Sequence, residues 1–272
     1  MKKLAVALGL VLGTATGLAG AAAFNLGGYT GPLVIQFRDF ENISGGPIPA
    51  PGDQNFGVLR VTTVQDLSGN LLWTQGGSNG FLSGVFDGIT VKSVLPAGAG
   101  HLNVQSTNGH MDLYLTDTAL DPNQGTLGYG AGGCAVGGLC YHTVTDVGGV
   151  HFLSLDFAPG INPADGTITV NGDFNITTNP PSGTASSYLD VVGGVYASHF
   201  DTNFFPTNFG LRDLKIDNTF CPNGTTACGT AGNWQLQSSD PARAFFIPEP
   251  GTLALAGLAL AFLGGMGRRR RG

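Results

Sequence analysis

The chain has 272 residues, with 18 Asp and Glu against 12 Lys and Arg, a formal net charge of −6, and 45 glycines. An excess of negative charge excludes a protein built to hold nucleic-acid phosphates, and the glycines lack the three-residue period of collagen. With Glu41 and Glu249 the only glutamates, an H-E-x-x-H zinc site is excluded as well.

The N-terminus reads as an export signal. Met1-Lys2-Lys3 is a positive n-region, Leu4 to Leu18 an apolar h-region, and Ala21-Ala22-Ala23 a small-residue cleavage site before Phe24. The division expected is a signal peptide over 1–23, a secreted domain over 24–246 and a C-terminal tail over 247–272.

Between the ends, β-branched and aromatic runs alternate with Gly, Asn, Asp and Pro punctuation. Strands are predicted at Leu33–Phe37, Phe56–Val64, Ile89–Val94, His101–Gln105, His110–Leu115, His151–Phe157, Thr167–Val170, Asp173–Thr177, Tyr188–Val192, Val195–Phe200 and Leu211–Ile216. Asn171-Gly172 predicts a hairpin turn between the seventh and eighth of these, and Gly193-Gly194 a second hairpin. No segment keeps a capped 3.6-residue apolar period, so helix should be scarce. The fold class expected is all-β, a β-sandwich or jelly roll with Gly- and Asn-rich loops. Gly125 to Gly138 reads as a glycine-rich loop, and Asn179-Pro180-Pro181-Ser182-Gly183 as a linker.

The four cysteines fall into two local pairs, Cys134 with Cys140 and Cys221 with Cys228. In an exported chain an even number at short range reads as disulfides. Three connectivities exist, and the local one closes a Gly- or Asn-containing loop each time. Metal binding by Cys134, Cys140 and His142 would lack a fourth ligand at a recognisable spacing.

Two enzyme-like strings arise from glycine abundance. Gly128-Tyr129-Gly130-Ala131-Gly132-Gly133 fits G-x-G-x-x-G but leads into more glycine rather than a helix. Gly76-Gly77-Ser78-Asn79-Gly80 fits G-x-S-x-G but lacks the strand–turn–helix frame of a nucleophile elbow. The histidines, His101, His110, His142, His151 and His199, are scattered along strand-like segments. No catalytic residue is assigned. Calcium is the metal the oxygen-rich loops would suit, through Asp121, Asp165 and Asp173, although none follows the EF-hand pattern and turn chemistry alone explains Asp or Asn before Gly. Trp73, Tyr141 and Trp234, with Tyr114 and Tyr129, could give stacking faces to a carbohydrate, or the tryptophans could pack in cores.

The C-terminus has three parts. Pro248-Glu249-Pro250 should be extended, since each proline disfavours helix at its predecessor. Gly251 to Gly267 carries no charge, and its seventeen residues would make a helix of about 25 Å, at the short end of what crosses a bilayer. Arg268, Arg269, Arg270 and Arg271 would hold the end on the cytoplasmic side. A permanent single-span anchor would use the same residues, but needs no Pro-Glu-Pro hinge.

This tail resembles that of PEP-CTERM proteins, substrates of exosortase in Gram-negative bacteria that make exopolysaccharide. The resemblance spans Pro248-Glu249-Pro250, Gly251 to Leu258 and the arginine cluster. It implies transient insertion in the inner membrane, processing near the hinge by exosortase, and transfer to the cell surface or extracellular matrix. It implies nothing about the domain upstream. A shorter stretch, with His199-Phe200-Asp201-Thr202-Asn203, Cys221, Trp234 and Ser238-Ser239-Asp240-Pro241-Ala242-Arg243, resembles the flocculation-associated subgroup. That implies a role in floc formation with exopolysaccharide.

Without both ends, the segment from Phe24 to Pro250 carries six basic and eighteen acidic residues, a net charge of −12. Such a surface suits divalent cations, cationic polymers or solubility outside the cell. The function expected is a non-enzymatic structural or adhesive matrix protein. The alternative is a secreted polysaccharide hydrolase, for which two carboxylates would suffice.

Overall fold

The computed structural model describes residues 24–122, 149–178, 181–225, 228 and 234–247. The predicted signal peptide, the Gly125–Gly138 loop, Asn179-Pro180 and the tail from Pro248 onward lie outside them, and Ser182-Gly183, read as the end of a linker, instead begin a strand. Among the described residues no helix is long and apolar enough to cross a membrane.

Among the described residues there are thirteen strands: β1 (Gly31–Ile43), β2 (Gln54–Asp66), β3 (Leu71–Thr74), β4 (Phe81–Gly98), β5 (His101–Thr107), β6 (His110–Thr116), β7 (Val150–Ala158), β8 (Val170–Asn175), β9 (Ser182–Gly193), β10 (Phe205–Thr207), β11 (Gly210–Arg212), β12 (Leu214–Pro222) and β13 (Leu236–Phe246). A short helix, α1 (Ala197–Phe200), follows β9.

The expected sandwich is replaced by a closed barrel. Every ladder is antiparallel, and the circuit β1–β2–β4–β6–β7–β9–β12–β13 returns to β1 without an open edge. Closure removes the unpaired strand edges that a sandwich must protect. One side of the wall forks. Residues 81–87 of β4 pair with β6 while 90–98 pair with β5. Likewise 182–187 of β9 pair with β8 and 188–193 with β7. The β5–β8 ladder completes the second branch.

Alternation of side chains across each strand sends Leu33, Ile35 and Phe37 of β1 into the barrel, where they join Val61, Leu113, Leu155 and Leu189 in the main core. A second cluster of Ile43, Val91, Val104, Phe174, Phe220 and Leu236 fills the opposite end. Close packing fixes glycine at two points. A side chain at Gly57 would strike the Phe40 carbonyl and the Phe86 ring, and one at Gly183 the Asp173 carbonyl and the Phe220 ring.

Three sequence readings are corrected. Asn171-Gly172 is not a turn: β8 runs straight through both residues, which pair with β5 on one side and β9 on the other. Val195–Phe200 is not a strand and Gly193-Gly194 closes no hairpin. Gly194, at φ 101°, turns the chain into α1, which buries the neighbours His199 and Phe200 together, something a strand's alternation cannot do. Leu211–Ile216 is divided between β11 and β12. Strand β13 has no sequence signal, since Ser238-Ser239-Asp240-Pro241 reads as a loop. Pro241 is accommodated because the β12–β13 ladder skips from Ile216–Ala242 to Phe220–Ser238, so no ladder donor is required there.

Candidate functional site: an outer histidine–carboxylate face and an inner polar chamber

On the outer face of the β6–β7 ladder, His110, Asp112 and Tyr114 alternate with the inward Met111, Leu113 and Leu115. Across the ladder stand Asp156, Ser154 and His151, in that order. His110 Nδ1 lies 2.6 Å from Asp156 Oδ1, and its Nε2 lies 3.2 Å from Ser154 Oγ. Ser154 Oγ donates to Asp112 Oδ1 at 2.6 Å, and His151 Nε2 reaches the same oxygen at 2.9 Å. Tyr114 stacks on His151 with centroids 5.2 Å apart and planes 29° apart.

The order Ser154–His110–Asp156 has the connectivity of a nucleophilic triad, but Ser154 Oγ donates to Asp112 beside it. Burial works against a charged His110, yet its hydrogen bond to Asp156 and the charges of Asp112 and Asp156 outweigh it and raise its pKa. Burial also works to raise Asp112, and the hydrogen bonds from Ser154 and His151 overcome it, leaving that carboxyl below its ordinary range. Ser154 Oγ thus has Asp112 as its acceptor, with His110 Nε2 alongside. The array sets carboxylates, imidazoles, a hydroxyl and a stacked ring pair side by side on one face of the ladder.

Inside the barrel, between the two apolar clusters, lies a chamber of about 80 Å³ whose polar lining includes Asp39, Glu41, Asn55, Ser106, Ser187 and Asn218. Asp39 and Glu41 continue the inward register of Leu33, Ile35 and Phe37. Ser238 Oγ donates to Asp39, and Asn55 Nδ2 donates to Glu41 Oε2 at 2.7 Å. Burial, reinforced by the charge of Asp39 and only partly offset by Asn55, pushes Glu41 up to about 8. Glu41 is thus a neutral acid at pH 7. The carbonyl oxygens of Asn55 and Asn218 are buried without a partner among the described residues. The alternation of β1 is the signal that would have revealed the chamber: a period of two puts Asp39 and Glu41 on the core face.

Near the C-terminal end of the barrel, the buried His199 receives the last described residue. His199 Nδ1 is 2.7 Å from the Ile247 carbonyl, the Ile247 N–H donates to the His199 carbonyl at 3.0 Å, and the imidazole stacks on Phe246 at 5.0 Å with planes 2° apart. Asp213 orders the segment after α1, accepting backbone N–H bonds from Val191, Thr202 and Asn203 at 2.7–2.8 Å. Ile247 is therefore anchored directly to the folded domain.

The residues singled out in the sequence do not converge. Trp73 is 2 % exposed in the main core and Trp234 is 6 % exposed beside Phe40, its indole N–H donating to the Pro122 carbonyl at 3.0 Å. Neither presents a stacking face, because each indole is packed into an apolar cluster. Phe24 is also buried, packed on Trp73, Phe152 and Tyr196. Asp165 binds Lys92 Nζ at 2.7 Å and Thr167, which hold its carboxyl well below the usual range. Asp173 faces His101 Nδ1 at 2.5 Å. Asp121 lies in the segment after β6, apart from both. Among the described residues no group of three or more His, Cys, Asp or Glu is arranged to hold a metal. Cys221 and Cys228 form a disulfide. Ala21, Ala23, Cys134, Cys140, Tyr141, His142, Pro248, Glu249, Pro250 and Arg268 to Arg271 lie outside the described residues. Gly76–Gly80 forms a single 3₁₀ turn between β3 and β4, with no helix to support a nucleophile.

Comparison with known families matches residues 246–271 to the PEP-CTERM protein-sorting motif. No curated protein and no solved structure matches the chain. The motif marks an exosortase substrate, exported to the cell envelope or surface.

Proposed function

We propose that this exosortase-sorted protein is a non-catalytic component of the surface or exopolysaccharide matrix of a Gram-negative bacterium, contributing to floc or biofilm cohesion. Its polymer-binding surface is the outer face of the β6–β7 ladder. The observation that carries this reading is the stacked Tyr114–His151 pair flanked by Asp112, Ser154 and Asp156. A flat ring beside carboxylate and hydroxyl groups suits a sugar's apolar face and its hydroxyls. The net charge of −12 between Phe24 and Pro250 supports cross-linking of acidic polymer through divalent cations such as calcium, an effect of the whole surface more than of one site.

Co-sedimentation of the purified protein with the producer's polysaccharide tests the assignment. Wild-type protein should pellet with polymer, and Tyr114→Ala and His151→Ala should weaken that about tenfold, the loss of one stacking contact of roughly 1.4 kcal/mol. Unchanged binding by both variants would remove the β6–β7 face from consideration. In cells, deletion should leave polymer production intact and growth dispersed. The hydrolase reading predicts new reducing ends when protein and polymer are incubated together. The matrix reading predicts none.

A further inference from the structure

The two ends of the barrel differ in what they show to solvent. Strand registers place Gly31 beside Phe246, Leu33 beside Asp66, and Leu214 beside both Ala244 and Leu189. The C-terminal end of β13, the β2–β3 turn and the β9–α1 connection therefore share one end of the barrel. Of the nine exposed large apolar residues described, five lie in or beside the β2–β3 turn or between positions 192 and 204; Phe209 and Leu211 belong to the β10–β11 hairpin, which packs against the segment 159–166. Leu67, Leu71, Val192 and Val195 are 54–65 % exposed there, and Phe204 is 45 % exposed. Phe204 packs on Phe245, with ring centroids 5.0 Å apart, two residues before the chain leaves the barrel. The other two, Ile48 and Leu95, belong to the opposite end, where β1 turns into β2 and β4 runs out along β5.

Both apolar terminal segments leave from this same end. Phe24, the residue after the predicted signal cleavage, is packed against Trp73, Phe152 and Tyr196. These side chains come from β3, the start of β7 and the residue before α1. At the other terminus, His199 holds Ile247. Only Pro248-Glu249-Pro250 then separate Ile247 from the uncharged run that begins at Gly251. Three residues span at most about 10 Å when fully extended, shorter than the barrel is wide, so this end is held against the bilayer whenever the tail is inserted.

We infer that the exposed apolar residues at this end form a membrane-facing surface that rests in the lipid interface while the sorting tail is inserted, presenting the hinge at a fixed height and orientation to the processing enzyme. The inference rests on the tail entering a membrane, as the sorting motif implies. The occupant is the lipid interface and not a protein partner, because the tether itself delivers the surface to the bilayer. Exposed apolar side chains gathered at one end of a domain are what such a contact needs. Asp66 and Asp201 at the same end oppose anionic headgroups, so a zwitterionic interface is preferred.

The test uses the full chain reconstituted into phosphatidylcholine vesicles containing a shallow nitroxide-labelled lipid. Tryptophan is introduced singly as Val195→Trp, Leu71→Trp, Ile48→Trp and Leu95→Trp. The buried Trp73 and Trp234 supply a constant background. Flotation with the vesicles first reports whether the tail inserts. Among floating protein, Val195→Trp and Leu71→Trp fluorescence should be quenched at least twofold more than that of Ile48→Trp and Leu95→Trp. Flotation with equal or no quenching at all four positions overturns the surface while leaving the tail reading intact. Failure to float overturns both.

Discussion

Replacing Glu41 by Gln should make the barrel more stable, and the gain should appear only as the pH rises. Glu41 is 5 % exposed, and burial beside Asp39 pushes it from 4.5 up to about 8. An acid whose folded pKa is raised lends its full stability below the unfolded value. That stability is lost progressively between pH 4.5 and about 8 as the unfolded chain ionises and the folded one does not. At 1.36 kcal/mol per pH unit the interval sets a ceiling of roughly 5 kcal/mol. Water entering the chamber and relaxation around the ionised pair return part of this, so about 2–3 kcal/mol should separate the proteins at pH 9. For a domain of this size that is about 5–10 °C in midpoint. The assay is thermal unfolding of both proteins at half-unit steps from pH 5 to pH 9, with circular dichroism confirming the fold. Titrations elsewhere are common to the two proteins and cancel in the difference. A gap between them that stays constant from pH 5 to pH 9 would refute the reasoning, since it would mean that Glu41 ionises alike in the folded and unfolded chains.

Opening the Cys221–Cys228 bridge, whose partners are seven residues apart, should cost about 2 kcal/mol by chain entropy, read as a lower urea midpoint for the double Cys→Ser variant. Asp213→Ala leaves three backbone N–H groups without their acceptor and should cost about 2–4 kcal/mol; hydrogen exchange should show opening concentrated between residues 191 and 203. Gly183→Ala should be among the most damaging single-methyl additions, because the new Cβ meets the Asp173 carbonyl and the Phe220 ring; a loss of at least about 2 kcal/mol is expected in denaturant unfolding. His110 should titrate above its ordinary value because Asp156 and Asp112 hold its charge. Its contribution is fully present below pH 6.5 and fades as pH rises through the folded pKa, so its ring proton resonance should shift at higher pH in wild-type protein than in Asp156→Asn.

The β-rich character and six of the expected strands, from Leu33–Phe37 through His151–Phe157, were legible because alternation at period two is a local property of a half-buried wall. Each strand nevertheless runs on or pairs in ways its own residues do not declare. Asn171-Gly172 has the composition of a turn, yet both flanks find partner strands and the chain stays extended. The reverse holds at Val195–Phe200, whose apolar residues fit a strand locally but are turned into a helix that plugs one barrel end. Strand β13 lies hidden in a polar stretch because position between β1 and β12, rather than hydrophobicity, makes it a strand.

Export to the cell envelope or surface was legible from residue order. A sorting signal is a contiguous string, so Pro248-Glu249-Pro250, the uncharged run and the arginine cluster can be recognised from residue order alone. The bridge between Cys221 and Cys228 was equally local, being set by loop length and compartment. Barrel closure, the joining of Asp39, Glu41, Asn55 and Asn218 in one chamber, the meeting of His110 and Asp112 with Ser154 and Asp156, and the exit of both termini at one end were decided by tertiary structure alone. Each depends on the pairing of strands 14 to more than 180 residues apart, as between Glu41 and Asn55 or Asp39 and Ser238. Such register is set by the packing of the whole wall, and no local window of sequence contains it.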